Sequence, residues 1–164
     1  AVAVHLLPTR QRRNSRFKIL FTMSDNSLPR VERLRSLSAI RRLFAEGEGG
    51  FVYPFRYMCF KESGVTNDVK GGVKGGIKDD SVSGGVEVMF SVPKKFHKRA
   101  NKRNVLKRRS REAYRLHKQS LVAKVAEQGI ALDLALVYST KEILSYKTIE
   151  YAVQRILGQV CSHL

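Results

Sequence analysis

Between Val92 and Lys118 the chain carries twelve Lys and Arg against a single acid, Glu112. That stretch supplies +11 of the formal net charge of +17. Charge so concentrated is suited to a polyanion, because each Lys or Arg that meets a phosphate releases condensed counterions. The residue types sharpen this. Arg can grip phosphate with two parallel hydrogen bonds, and Asn104 can pair with phosphate or with base edges. Chemistry of other kinds finds no support. No Ser or Cys stands in a nucleophile motif, and no carboxylate pair or His–Glu pair has useful spacing. His5, His97, His117 and His163 are scattered, and Cys59 and Cys161 form no metal-type cluster. These residues are expected to bind rather than to catalyse, and no metal site made by the protein alone is expected.

The cations need an element to hold them in order. From Ala100 no Pro or Gly interrupts the chain until Gly129, which reads as one helix. At 100° per residue Leu106, Ser110, Ala113 and His117 share one narrow face, with Leu121 at its margin. Lys107, Arg111, Arg115 and Lys118 share another, flanked by Asn104 and Arg108. Like charges at i,i+4 repel by a few tenths of a kcal/mol per pair. Glu112 relieves only Arg108 and Arg115. A merely solvated face normally mixes signs, so a face this uniform points to phosphates lying against it.

The rest of the 164-residue chain reads as one domain over residues 23–164, preceded by a basic extension over residues 1–22. That extension holds Arg10, Arg12, Arg13, Arg16 and Lys18 and no acid. It reads as an unstructured tail, or as a start site placed too far upstream of Met23. Leu37 to Glu46 is an amphipathic helix with Leu37, Ile40, Leu43 and Phe44 as its apolar stripe, Ser36 as its cap and Gly47 as its end. Gly49 and Gly50 are expected to turn the chain. Phe51 to Phe60 reads as strand, broken at Pro54. Residues 63–85 are a low-complexity, Gly-rich stretch, read as a flexible insertion between strands. Val86 to Val92 and Leu132 to Tyr138 are apolar strands. Ser145 caps a last helix that buries Tyr146, Ile149, Val153, Ile156, Leu157 and Val160. The order α-β-β-β-α-β-α predicts an α+β fold: a two-layer sandwich of one small, mostly antiparallel sheet and three helices. No run approaches the ~18 to 20 apolar residues of a membrane span, and the sparse cysteines fit a reducing, cytoplasmic setting.

The basic stretch resembles the signature of the bacterial ribonuclease P protein component. In that family the signature is S-V-x-K-K, a short spacer, then A-V-x-R-N-R-x-K-R-x-x-R-E. Here it reads Ser91-Val92-Pro93-Lys94-Lys95, then Ala100, Arg103-Asn104-Val105, Lys107-Arg108 and Arg111-Glu112. Val105 stands in place of the second Arg of the core, and Asn101 in place of an apolar residue. The resemblance implies a left-handed β-α-β crossover and the protein subunit of an endoribonuclease that matures the 5′ end of tRNA. It implies that the RNA subunit performs the cleavage, with Mg2+ held by RNA and substrate. The implied partners are ribonuclease P RNA and the 5′ leader of precursor tRNA, with no membrane and no protein partner. By the same resemblance Lys94, Lys95, Lys98, Arg99, Arg103, Asn104, Lys107, Arg108, Arg111 and Arg115 bind RNA. Ile40, Phe44, Arg56 and Met58 line the leader groove. The residues themselves leave a general RNA-binding or ribosomal-type protein as the alternative.

Overall fold

The computed structural model describes residues 26–62 and 85–164. The expected basic extension 1–22, and the expected insertion except for Gly85, lie outside the described residues. Gly85 itself joins the sheet, its carbonyl accepting from Leu132 N at 2.9 Å. A single 3-10 turn, Arg30–Glu32, leads to helix α1, Leu37–Glu46. Strands β1 (Glu48–Val52), β2 (Phe55–Glu62) and β3 (Val86–Ser91) follow, then helices α2 (Ala100–His117) and α3 (Gln119–Gln128). Strand β4 (Ala131–Tyr138) and helix α4 (Tyr146–His163) complete the chain. The sheet order is β1-β2-β4-β3, with β3 parallel to β4 and the other two pairs antiparallel. No helix among the described residues is long and apolar enough to cross a membrane.

Local signals explain the element ends. Ser36 Oγ accepts from Ala39 N, and Ser145 Oγ accepts from Thr148 N, each relieving an orphan donor of a first helical turn. Gly129 closes α3 in the left-handed conformation at φ 62°, where a side chain would be strained. Alternation sorts the strands. Phe55, Tyr57, Cys59, Val86, Val88, Leu132, Leu134, Leu136 and Tyr138 point to one face, where they meet the buried stripes of α2, α3 and α4 in the main core. The opposite face carries a smaller cluster, in which Leu34, Leu43 and Ala135 are joined by Ala39, Ile40, Met58, Phe60 and Met89. Helix α1 therefore covers part of the sheet's second face.

The α+β architecture is the one the sequence predicts, with three differences in detail. Gly49 and Gly50 do not turn; they lie in β1, opposite Met58 and Tyr57. A Cβ on Gly50 would come within 2.6 to 2.7 Å of the Tyr57 ring, so this crossing needs bare backbone. The reversal falls instead at Tyr53 and Pro54, whose peptide bond is cis. The long basic helix is two helices, so the described residues hold four α-helices rather than three. The break falls at Lys118, which is buried rather than on the charged face. Its Nζ lies 2.6 Å from Glu32 Oε2 and donates to Ser27 O at 2.5 Å. That pairing joins residues far apart in sequence, so no local signal records it. The stripe of α1 also splits: Leu43 is fully buried, whereas Leu37 and Phe44 are exposed.

Candidate nucleic-acid interface

The basic loop leaves the end of β3 and is held in place by its own neighbours. Buried His97 donates from Nε2 to Thr140 O at 3.0 Å. Arg103 Nη1 donates to His97 O at 2.9 Å and to Lys98 O at 2.6 Å. Arg103 thus braces the loop as well as adding charge. With the backbone fixed, Lys94, Lys95, Lys98 and Arg99 stand exposed around the turn. Lys95 Nζ sits 5.1 Å from the centre of the Phe96 ring.

Along α2, Leu106, Ser110, Ala113 and Tyr114 are buried, and this inward face orients the rest. The side chains of Asn104, Lys107, Arg108 and Arg111 make no hydrogen bond or ion pair with described protein groups. Their donors remain available to an external anion. Arg115 is differently placed. It donates to both oxygens of Glu112, at 3.0 and 2.6 Å, and to Asn26 O at 2.6 Å. Of the ten cations and amides expected to meet RNA, Arg103 and Arg115 are thus tied to the protein's own groups.

The second half of the site lies on the face under α1. Paired residues in a sheet share a face, so the register defines rows across it. One row runs Phe51, Arg56, Val137, Ser91. The next runs Gly49, Met58, Ala135, Met89, and beyond it lie Phe60, Asp133 and Glu87. Helix α1 covers the later rows. Arg42 donates to both oxygens of Glu62, at 3.1 and 3.2 Å, and stacks 4.6 Å above the Phe60 ring. At 100° per residue Arg42 and Phe44 flank buried Leu43 on opposite sides. With Arg42 over Phe60, Phe44 faces the uncovered row, as do Ile40 and Leu37 on the same side of the helix. Helical spacing and strand register together define a channel between Leu37, Ile40 and Phe44 on α1 and Met58 with the row from Ser91 to Phe51 on the sheet. The basic loop leaves Ser91 at one end of that row.

Of the four residues expected in the groove, Ile40 and Met58 pack together in the small cluster. Phe44, 44% exposed, lies on the Ile40 side of α1, and exposed Arg56 stands in the next row of the sheet. Phe51, which the sequence reading leaves unassigned, lies on the same floor and is 63% exposed. Alternation from Arg56 across the hairpin would have found it, had the turn been placed at Pro54 rather than at Gly49 and Gly50.

The covered end of this face has the opposite charge. Burial raises the Asp133 carboxyl above its ordinary range, against the pull of Arg42 3.7 Å away. Burial, and then the neighbouring Asp133, raise Glu87 as well. Among the described residues no group of three or more His, Cys, Asp or Glu could hold a metal ion.

The Ribonuclease P family model matches residues 28–161. The ribonuclease P protein component of Porphyromonas gingivalis is 31% identical over 139 residues, 84% of this chain and 88% of that protein. That of Chlorobium phaeobacteroides is 32% identical over 150 residues, 87% of this chain and 94% of that protein. Among solved structures, the RNase P protein from Thermotoga maritima superposes with a TM-score of 0.55 at 21% identity, covering 78% of this chain and 96% of that one. A Staphylococcus aureus RNase P protein mutant with defective mRNA degradation activity gives a TM-score of 0.56 at 16% identity, over 79% and 88%. At such identities the structures speak to the fold alone. The sequence matches go further, since the family model covers most of the chain and these relatives exceed 30% identity over more than four-fifths of both partners: the chain belongs to the ribonuclease P protein component family.

Proposed function

We propose that this chain is the protein subunit of a ribonuclease P ribonucleoprotein, with the basic loop and α2 docked on the RNA subunit and the channel beside α1 holding the 5′ leader of precursor tRNA. Membership of the family carries the role in tRNA 5′ processing. The observation that carries the finer reading is the juxtaposition of two surfaces. A row of unpaired cations on α2 suits phosphates. A channel with exposed aromatics and Arg56 suits a single strand, whose bases need flat apolar surfaces and whose backbone needs positive charge.

On this reading the protein's own residues bind and orient. Lys94, Lys95, Lys98, Arg99, Asn104, Lys107, Arg108 and Arg111 meet RNA phosphates, while Arg103 holds the loop that presents four of them. Phe44, Ile40 and Met58 offer apolar surface to leader bases, and Arg56 offers a phosphate partner. A leader held here adds affinity that mature tRNA lacks, so the enzyme favours substrate over product. Cleavage falls to the RNA subunit, where bound Mg2+ would activate water and neutralise charge at the scissile phosphate.

The test is reconstitution with a ribonuclease P RNA. Lys107→Glu with Arg111→Glu should weaken assembly and lower the magnitude of the log–log salt slope by about 0.7 to 0.9 per lost contact. The wild-type chain should stimulate accurate 5′ cleavage of precursor tRNA at low Mg2+. An unchanged slope and affinity would return α2 to a solvated face, and binding without stimulation would leave only a general RNA binder.

A further inference from the structure

We infer that the channel ends in a separate nucleobase subsite at the β1 edge, built by Phe51 over the bare backbone of Gly49, which takes a leader base beyond those held by Phe44 and Arg56. The inference rests on the groove reading above and adds to it a residue and a length. Phe51 is 63% exposed, although it lies in a strand and pairs directly with Arg56. Pairing puts it on the same face as Arg56, at the far end of the row from the basic loop. Three strand spacings separate it from Ser91, roughly 14 Å.

Its neighbour on that face has no side chain. Gly49, two residues earlier, is bordered by Met58, since a Cβ there would meet Tyr57 O at 3.0 Å and Met58 Cγ at 3.4 Å. Phe51 and Met58 therefore flank side-chain-free backbone on an edge strand. Edge backbone has N–H and C=O groups without strand partners, which are able to pair with a base edge. A flat ring, a bare floor and free edge groups suit a planar base. They do not suit a phosphate, for which the floor offers Arg56 instead. The aromatic surface that Ile40 and Met58 do not supply is supplied here, one strand further out.

The experiment uses the reconstituted holoenzyme and precursor tRNAs whose leaders lengthen one nucleotide at a time. Phe51→Ala should lose about ten-fold in affinity, in the range of one base stack. The loss should appear only above a threshold leader length. Affinity for shorter leaders and for mature tRNA should stay at the wild-type value, and Phe51→Trp should restore the loss. Phe44→Ala serves as the control on the groove itself and should act at shorter leaders. If Phe51→Ala matches wild type at every length while Phe44→Ala does not, the edge subsite is wrong and the groove stands. If neither variant shows any dependence on leader length, the groove reading fails and the subsite fails with it. An equal loss for all substrates, mature tRNA included, would make Phe51 a structural residue and overturn the subsite. Because Phe51 is exposed, its variants should keep the wild-type melting temperature.

Discussion

Phe44 sits at a spacing that ordinarily turns a side chain inward, yet it is 44% exposed while Leu43 beside it is fully buried. Truncating a buried Phe costs about 3 to 5 kcal/mol. Phe44→Ala should cost no more than ~1 kcal/mol by urea unfolding, as for a surface change. Its loss should show in substrate choice instead: combined with Arg56→Ala, it should erase the holoenzyme's preference for precursor over mature tRNA. Asp133 makes a second prediction at this scale. Its carboxyl is raised by burial, so the folded state holds the proton more tightly than the unfolded chain. Its contribution is therefore neutral below the ordinary Asp range near pH ~4 and becomes destabilising as pH rises through the raised value. Asp133→Asn should match wild type in acid and exceed it in stability above that window. A wild-type advantage over Asp133→Asn that grows as pH rises would show that Arg42 outweighs burial.

At the scale of elements, the joint between α2 and α3 is the contact most dependent on one residue. Lys118 is 3% exposed and bonds to Glu32 and Ser27 O, tying the segment before α1 to the end of the basic helix. That segment continues through Arg33, which bridges to Val88, into α1. Lys118→Met should cost roughly 2 to 4 kcal/mol, because Glu32 is left without its cation. Adding Glu32→Gln should recover part of that cost, since an unpaired charge is worse than none. Hydrogen exchange should quicken first in α1, to which the tied segment leads, rather than in α4, which is anchored in the main core. Uniform quickening would mean that the pair supports the whole domain.

The whole molecule carries a formal +17, crowded onto α2 and its loop. Self-repulsion of this kind weakens the compact state and is relieved by screening. The melting temperature should rise as salt shortens the Debye length from ~30 Å to ~8 Å. Ribonuclease P RNA, which binds the folded chain, should raise it further at low salt. A fall in melting temperature with added salt would show that the cations are already compensated within the protein.

The sequence by itself determined what is periodic or local. Leu106, Ser110 and Ala113 on the inward face of α2, the caps at Ser36 and Ser145, the strand alternation and the basic signature were legible, because each is written within a turn or two of chain. So was the family, whose signature lies in one contiguous stretch. Tyr114, by contrast, is buried in place of the expected His117, which pairs with Glu150. Tertiary structure decided which of several equivalent side chains does which work. Leu43 is core and Phe44 is not, because α1 crosses only the later rows of the sheet. Gly49 and Gly50 are strand because they pair with Met58 and Tyr57 of β2, and the Tyr57 ring leaves no room for a Cβ at Gly50. Arg103, Arg115 and Lys118 are turned to the protein's own carbonyls and carboxylates, while the side chains of Lys107, Arg108 and Arg111 bond to no described group. A cation's partner across the fold depends on register and crossing angle, and neither is encoded in the spacing of residues along the chain.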